Sequence, residues 1–188
     1  MGLDYSQGAV NFRDLGLWLN EIEQRAVLPE GRIFRGGKLD FVASLAELEH
    51  PASVLNLRRG IDPELGVPCT HLCVTAGTDT NQTQQPPVRR WLNQVMQFFA
   101  DPVTRYPVYM HCTSGKDRTG IVAGVLGLVV GASLSTLETE YALSDGRLQP
   151  DDFRAGLMHI QAVGLQRYLD RVDLDLLRQR LREGGDQP

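Results

Sequence analysis

Lysine is nearly missing from this chain: Lys38 and Lys116 stand against 17 arginines. The formal net charge is −4 and the pI about 5.5. That balance excludes a general nucleic-acid binder and a basic membrane-surface protein, so any anion must be held by a local site. Cysteine is scarce as well. Cys69, Cys73 and Cys112 are an odd number, which builds no disulfide framework and fits a reducing compartment. The longest stretch of apolar and small residues, Ile121 to Ala132, has twelve residues, short of the ~20 that span a bilayer. No basic segment followed by an apolar one opens the chain, so no secretion signal is expected. Met1-Gly2 with Ser6 matches only the loose myristoylation pattern, with no second membrane signal beside it. Repeats, heptad runs and low-complexity blocks are also lacking.

What is present is ordinary globular composition, 42% apolar and 22% charged, in 188 residues that suit one domain. Short strands are expected near Leu17–Leu19 and Arg32–Phe34, and a helix over Leu39–Leu48 that ends at Pro51. Ser53–Leu57 and Thr70–Val74 read as strands. Residues 75–87 are polar and form a long loop, too polar for the core and long enough for a functional flap. Val88, Trp91, Leu92, Val95 and Phe99 mark one helix face. Pro107–His111 reads as a strand and Arg118–Val130 as an apolar helix. Ser133 or Ser135 caps a helix to about Leu143, and Asp151 caps another. Leu165, Tyr168, Leu169, Val172 and Leu176 predict a last amphipathic helix. This order describes an α/β sheet finished by a helical block. Gly120, Gly124, Gly127 and Gly131 read as close packing of a helix against that sheet.

Residues 108–121, VYMHCTSGKDRTGI, run from an apolar strand through a tight polar turn into an apolar helix. This is the layout of an anion site, with loop N–H groups and a helix N-terminus converging on one point. Cys112 stands at the strand end, where that field and His111 favour a thiolate. Arg118, six residues on, can fork two N–H bonds onto a phosphate. Sulfur and guanidinium around one cradle suggest phosphoryl transfer to cysteine. The loop is no Walker A motif, since Met110 replaces its first glycine and Asp117 follows the lysine. The adjacent pair His111-Cys112 and the pair Cys69 and Cys73 lack metal-ligand spacing, so no metal site is expected.

HCTSGKDRTG, residues 111–120, resembles the His-Cys-x5-Arg-Thr-Gly signature of the cysteine-dependent phosphatases at every fixed position. Asn11-Phe12-Arg13-Asp14-Leu15-Gly16 and the block Gly31 to Leu39 resemble the opening motifs of the bacterial tyrosine-phosphatase branch that begins NFRDLG. The blocks keep their order and spacing over roughly residues 8–145. Leu17 stands where the family often has a second glycine, a change expected to touch a turn rather than the chemistry. The resemblance implies a cysteine-phosphatase fold: a central, mostly parallel sheet flanked by helices, with a C-terminal helical block. It takes residues 1–188 as one phosphatase domain with a frayed tail at 183–188.

Under this reading Cys112 is the nucleophile, forming a phosphocysteine, and Arg118 clamps the phosphate and stabilises the transition state. Thr119 donates its hydroxyl to the Cys112 sulfur as the phosphoenzyme breaks down. Thr113, Ser114, Gly115, Lys116, Asp117 and Arg118 bind the phosphate, and His111 supports the loop. Two carboxylic acids compete to protonate the leaving oxygen. Asp79 lies on the polar loop, at about the distance where related phosphatases carry a general acid, and is slightly preferred. Asp117 lies in the anion loop, where bacterial relatives with Lys-Asp-Arg are thought to use it. Lys116 matches a lysine of lipid- and inositol-phosphate-acting relatives, and so offers a point charge for a second phosphate. Arg13 and Asp14 are read as a pair that holds the N-terminal segment to the loop. Arg58 and Arg59 bind acidic substrate groups or pair with Asp62 or Glu64.

The activity implied is a metal-independent phosphomonoester hydrolase without cofactor, first a protein tyrosine or dual-specificity phosphatase. A phosphoinositide or inositol-phosphate phosphatase, a non-catalytic phosphate-binding module and a rhodanese-like sulfur transferase are the alternatives. Expected partners are a phosphorylated protein, phosphoinositide or inositol phosphate, with no nucleic acid and no stable membrane insertion. The expected location is the cytoplasm, with a secreted effector role open beside it.

Overall fold

Strand β5 (Val108–His111) is the axis of the computed structural model, which describes residues 8–183. It lies between β2 (Ile33–Gly36) and β3 (Ser53–Asn56), parallel to both. β4 (Cys69–His71) extends the sheet parallel to β3, and β1 (Arg13–Asp14) closes the other edge antiparallel to β2. The order is therefore β1-β2-β5-β3-β4. β2, β3 and β5 are buried along their whole length, as expected of parallel strands covered on both faces. The mostly parallel sheet flanked by helices agrees with the expected fold class.

One face carries the helices: α1 (Leu15–Glu23), α2 (Pro86–Ala100), α3 (Asp117–Val130), α4 (Leu134–Ala142), α5 (Pro150–Val163), α6 (Leu165–Tyr168) and α7 (Leu174–Arg182). α3 is apolar on every side because every side is covered, and all of Thr119 to Val130 is buried. Its glycines admit neighbouring helices rather than the sheet. A Cβ on Gly120 would meet Tyr141, one on Gly124 would meet Leu157 and Phe153, and one on Gly127 would meet Leu137. Gly131 does not pack at all; it ends the helix as a left-handed cap.

The other face is covered by irregular chain. Phe34, Val54 and Tyr109 of the sheet bury against Leu39, Val42 and Leu48. The helix expected over Leu39–Leu48 forms only as a short 3-10 turn, Leu45–Leu48. Lys38 meets the loop after Cys112 instead, its N–H bonded to the Thr113 carbonyl at 3.1 Å.

Other expectations are corrected too. Leu17–Leu19 is helical, not extended. Asp14 caps α1 through the Gly16 N–H at 2.8 Å, and the buried residues Leu15 and Leu19 lie four apart, on one helix face. Asp151 is not a cap: Pro150 opens α5 and Gln149 precedes it. The last expected helix is two, because Asp173 accepts the Asp175 and Leu176 N–H groups and restarts the chain as α7. The 75–87 loop is less free than its polarity suggests. Thr80, Asn81 and Thr83 are buried, and the Thr83 hydroxyl donates to the Gly156 carbonyl at 2.8 Å. Ser133 is the cap of α4, as one of the two expected alternatives had it. Met1-Gly2 and Ser6, and all but the first residue of the tail 183–188, lie outside the described residues.

Candidate active site

Cys112 follows β5 directly and is 2% exposed. The loop from Cys112 to Arg118 then turns back on itself around Gly115, whose φ is +69°. A Cβ there would sit 2.4 Å from the Gly36 carbonyl carbon, so only glycine lets the loop press against β2. The carbonyls of three successive residues bond outward: Thr113 to the Lys38 N–H at 3.1 Å, Ser114 to the Asn11 amide at 2.8 Å, and Gly115 to Arg35 Nη2 at 2.8 Å. Carbonyls engaged on the outside leave the intervening N–H groups to the inside, the arrangement of an anion nest. α3 starts at the end of this loop with no side-chain cap, so its first N–H groups add to the same positive end.

Arg118 spans the mouth. Its Nη1 donates to the Leu57 carbonyl at 3.2 Å and its Nη2 to the Thr113 hydroxyl at 3.3 Å. The guanidinium is thus held flat across the loop, where a phosphate can replace the weaker of these bonds. Thr119 is fully buried, and its hydroxyl has no hydrogen-bond partner. A buried hydroxyl left unpaired costs about 1–3 kcal/mol, which is repaid when an acceptor such as a thiolate or phosphate oxygen arrives.

Beneath the loop lies a buried charge cluster. Glu140 of α4 receives Arg13 Nε at 2.7 Å and Arg35 Nη1 at 2.5 Å. Arg13 also reaches the Ser144 hydroxyl at 2.9 Å. Arg13 and Asp14 therefore do not pair: Arg13 turns to α4, while Asp14 caps α1 and accepts the Gly31 N–H at 2.5 Å. Burial pulls the Arg35 guanidinium down to about 10, against the upward pull of Glu140.

A second chain of polar groups runs behind Cys112 on the loop-covered face. His111 Nε2 lies 2.8 Å from Asp62 Oδ2, and Nδ1 faces the Cys112 carbonyl at 3.2 Å. Arg58 holds the other oxygen of Asp62 at 3.2 Å and reaches Asp40 at 2.6 Å, which in turn binds Lys38 at 2.6 Å. Arg58 is thereby committed to carboxylates of its own chain, whereas Arg59 is exposed. Lys38 lowers the Asp40 carboxyl through its hydrogen bond, against the opposing effect of burial. Cys69 and His71 share this face and line a cavity of about 330 Å³ together with Asp62.

The two acid candidates are placed differently. Asp117 is half exposed at the loop, bonded by Lys116 Nζ at 2.9 Å and by the Tyr141 hydroxyl at 3.3 Å. Burial raises that tyrosine to about 12, with Asp117 adding to the rise. Asp79 turns its carboxylate onto its own turn, accepting the Asn81 N–H at 3.0 Å and the Gln82 amide at 3.4 Å. Lys116 spends its remaining contact on the Arg147 carbonyl at 2.6 Å, tying the segment after α4 to the loop. Asn11, Arg35, Glu140, Asp62 and Tyr141 join the site without having been singled out for it from the sequence. Asn11 and Arg35 stand inside the quoted motif blocks, and Asp62 pairs with Arg58 as one expected alternative had it, but Glu140 and the His111 contact of Asp62 carry no local signal.

A model of the tyrosine phosphatase family matches residues 73–180. The chain belongs to the tyrosine phosphatase family. The match takes in β5, the Cys112 loop and the helices after it, and leaves out the two N-terminal blocks. Among curated proteins, a tyrosine-protein phosphatase of Nostoc commune is 42% identical over 52 residues, which cover 26% of this chain and 18% of that protein. Among solved structures, the core catalytic domain of the PP-IP phosphatase SIW14 from S. cerevisiae, in complex with citrate, superposes with a TM-score of 0.61 at 18% identity. That match covers 94% of this chain and 98% of the other. TpbA from P. aeruginosa superposes with a TM-score of 0.50 at 22% identity, over 80% and 86% of the two chains. The likeness to the SIW14 domain, over 94% of this chain, extends the shared fold over the N-terminal strands that the family model omits.

Proposed function

We propose that this protein is a metal-independent phosphomonoester hydrolase that works through a phosphocysteine on Cys112. The observation that carries the reading is the loop itself: a buried cysteine at a strand end, carbonyls turned outward, and Arg118 fixed across the opening. The thiolate attacks phosphorus and forms the S–P bond as the ester P–O bond breaks, and the leaving oxygen takes a proton. Arg118 and the loop N–H groups, including those of Thr113, Ser114, Gly115 and Lys116, hold the equatorial oxygens. Water then breaks the S–P bond. The unpartnered Thr119 hydroxyl supports the departing sulfur. Asp117 is the preferred general acid, since it is half exposed at the phosphate loop while Asp79 caps its own turn.

Protein phosphotyrosine, or phosphoprotein sites more broadly, is the first substrate class. The family membership supports it, and Lys116, committed to Asp117 and the Arg147 carbonyl, does not offer a free charge for a second phosphate. The chain acts as one phosphatase domain in the cytoplasm. One sheet, and the contacts of residues 11–13 with residues 114, 140 and 145, support the first part. Three free thiols support the second.

Phosphate release is the test, measured in EDTA with p-nitrophenyl phosphate, a phosphotyrosine peptide, a phosphoserine peptide and inositol phosphates. Turnover that Cys112→Ser abolishes is expected, with the phosphotyrosine peptide preferred. Binding of phosphate without turnover of any substrate would replace the hydrolase by a phosphate-binding module.

A further inference from the structure

We propose that Asp62 is a positioning residue for the nucleophile, acting on Cys112 through His111. The proposal rests on Cys112 being the nucleophile, and it concerns a residue from a loop with no motif of its own. Three observations join. First, the contact is fully interior: the His111 side chain is 0% exposed and that of Asp62 is 4% exposed, at 2.8 Å. Second, the ring is held at both ends, by Asp62 at Nε2 and by the Cys112 carbonyl at Nδ1, and it stacks on Tyr109 at 5.5 Å between centroids. Third, Asp62 is itself fixed by Arg58, so the carboxylate cannot turn away.

The partners dictate where the protons sit. A carbonyl oxygen only accepts, so Nδ1 carries the hydrogen that points at Cys112. A carboxylate also accepts, so a second proton lies between Nε2 and Asp62. Both ring nitrogens thus face acceptors, the Asp62 carboxylate on one side and the Cys112 carbonyl on the other, and the carboxylate charge lies at the end away from Cys112. Burial raises the Asp62 carboxyl, but the His111 hydrogen bond and the His111 and Arg58 charges outweigh it and leave it lowered. Removing the carboxylate charge while keeping a hydrogen bond would remove the polarity and leave the shape. Asparagine does this, because its amide N–H donates to Nε2 while Nδ1–H stays on the carbonyl.

Other titratable and charged groups surround the dyad: Tyr109 of β5 stacks on the ring, Arg58 binds Asp62, and on β4 Cys69 lies 3.6 Å from Asp62 while His71 meets the Arg58 carbonyl. Burial drives Tyr109 well above its usual range and pushes Cys69 up to about 11, with Asp62 adding to both. Neither changes charge between pH 5 and pH 8 on that account. His71, whose Nε2 meets the Arg58 carbonyl, is the neighbour that needs a control.

The experiment is the pH profile of Cys112 alkylation by iodoacetate in the full chain, which requires no turnover. Asp62→Asn is expected to move the profile to higher pH by about one unit, slowing alkylation about tenfold on its acid side. Asp62→Glu, which restores the charge, is expected to recover most of the shift, and His71→Gln to leave the profile in place. On a His111→Asn background, Asp62→Asn is expected to add nothing. A folded Asp62→Asn with the wild-type profile would overturn the proposal, and so would a shift that His71→Gln reproduces. Wild-type protein gives a test that needs no variant: proton NMR should show two hydrogen-bonded ring protons on His111, one toward each partner, and a single one also overturns it. Alkylation that behaves as expected in a chain that hydrolyses nothing would sink the hydrolase reading and leave this relay standing.

Discussion

Arg35 and Glu140, 105 residues apart in sequence, meet at 2.5 Å in the interior, and the same guanidinium holds the Gly115 carbonyl at 2.8 Å. Helix α4 is thereby connected to the Cys112 loop through one side chain. Breaking a buried ion pair by deleting one partner costs about 3–5 kcal/mol, because the other charge is left unpaired. Glu140→Ala is expected to lower the thermal midpoint by many degrees, since it strands both Arg13 and Arg35. Arg35→Met, which removes charge and loop contact together, should lose less stability than Glu140→Ala yet lose activity as fully. Calorimetry beside phosphate release checks the pair.

Arg118 lies at the mouth rather than in the core, so its loss should separate chemistry from folding. Arg118→Lys keeps the charge but cannot bridge two oxygens. A fall in kcat of about 100- to 1000-fold, the usual cost of one oxyanion donor, is expected. The melting temperature should stay within a degree or two of wild type.

The two acids can be told apart by the leaving group. Asp117→Asn should slow a poor leaving group strongly, about 100-fold or more, and p-nitrophenyl phosphate much less, since a good leaving group needs little protonation. The descending limb of its pH–rate profile should disappear as well. Asp79→Asn should leave both features close to wild type. The reverse pattern would return the role to the polar loop.

Glu23 gives a prediction for stability against pH. Its carboxylate accepts from the Thr136 hydroxyl and the Ser133 N–H, contacts that lower it from 4.5 to about 2, against burial. A carboxyl lower in the folded chain than in the unfolded one stabilises fully above pH 4.5, and that contribution is lost as pH falls toward 2. Wild type should therefore exceed Glu23→Gln in denaturant midpoint at pH 7, and the gap should close between pH 4.5 and pH 2.

Gly115→Ala should fail on two counts, strain at φ +69° and a Cβ 2.4 Å from backbone. A loss of stability of about 1–3 kcal/mol from the dihedral alone, with phosphate binding abolished, is the expected result by denaturation and calorimetric titration.

Much of the site was legible because its signal is local. The strand, the turn and α3 follow one another within residues 108–130, so spacing alone places Cys112, Gly115 and Arg118. The reading of the sheet succeeded for the same reason, since buried parallel strands are short apolar runs between turns. Leu17–Leu19 misled because a run of alternating apolar residues also fits a helix when the buried ones lie four apart. Residues 39–48 misled because their apolar side chains plug a sheet face from irregular chain, which leaves no period to detect. Asp62 was legible as a partner of Arg58, a pair the structure shows, but its contact with His111 and the role of Glu140 were invisible for a deeper reason. Each is one acidic residue among 23, and only the crossing of distant segments shows that it meets His111 or Arg35.

The scarcity of lysine has a practical consequence at the bench. Both lysines adjoin the Cys112 loop, Lys38 through its backbone bond to Thr113 and Lys116 as a member. Amine-directed reagents, whether fluorophores, crosslinkers or sensor-chip coupling chemistry, therefore find their only ε-amino targets beside the Cys112 loop. A coupled sample would be oriented with its mouth against the support and blocked there.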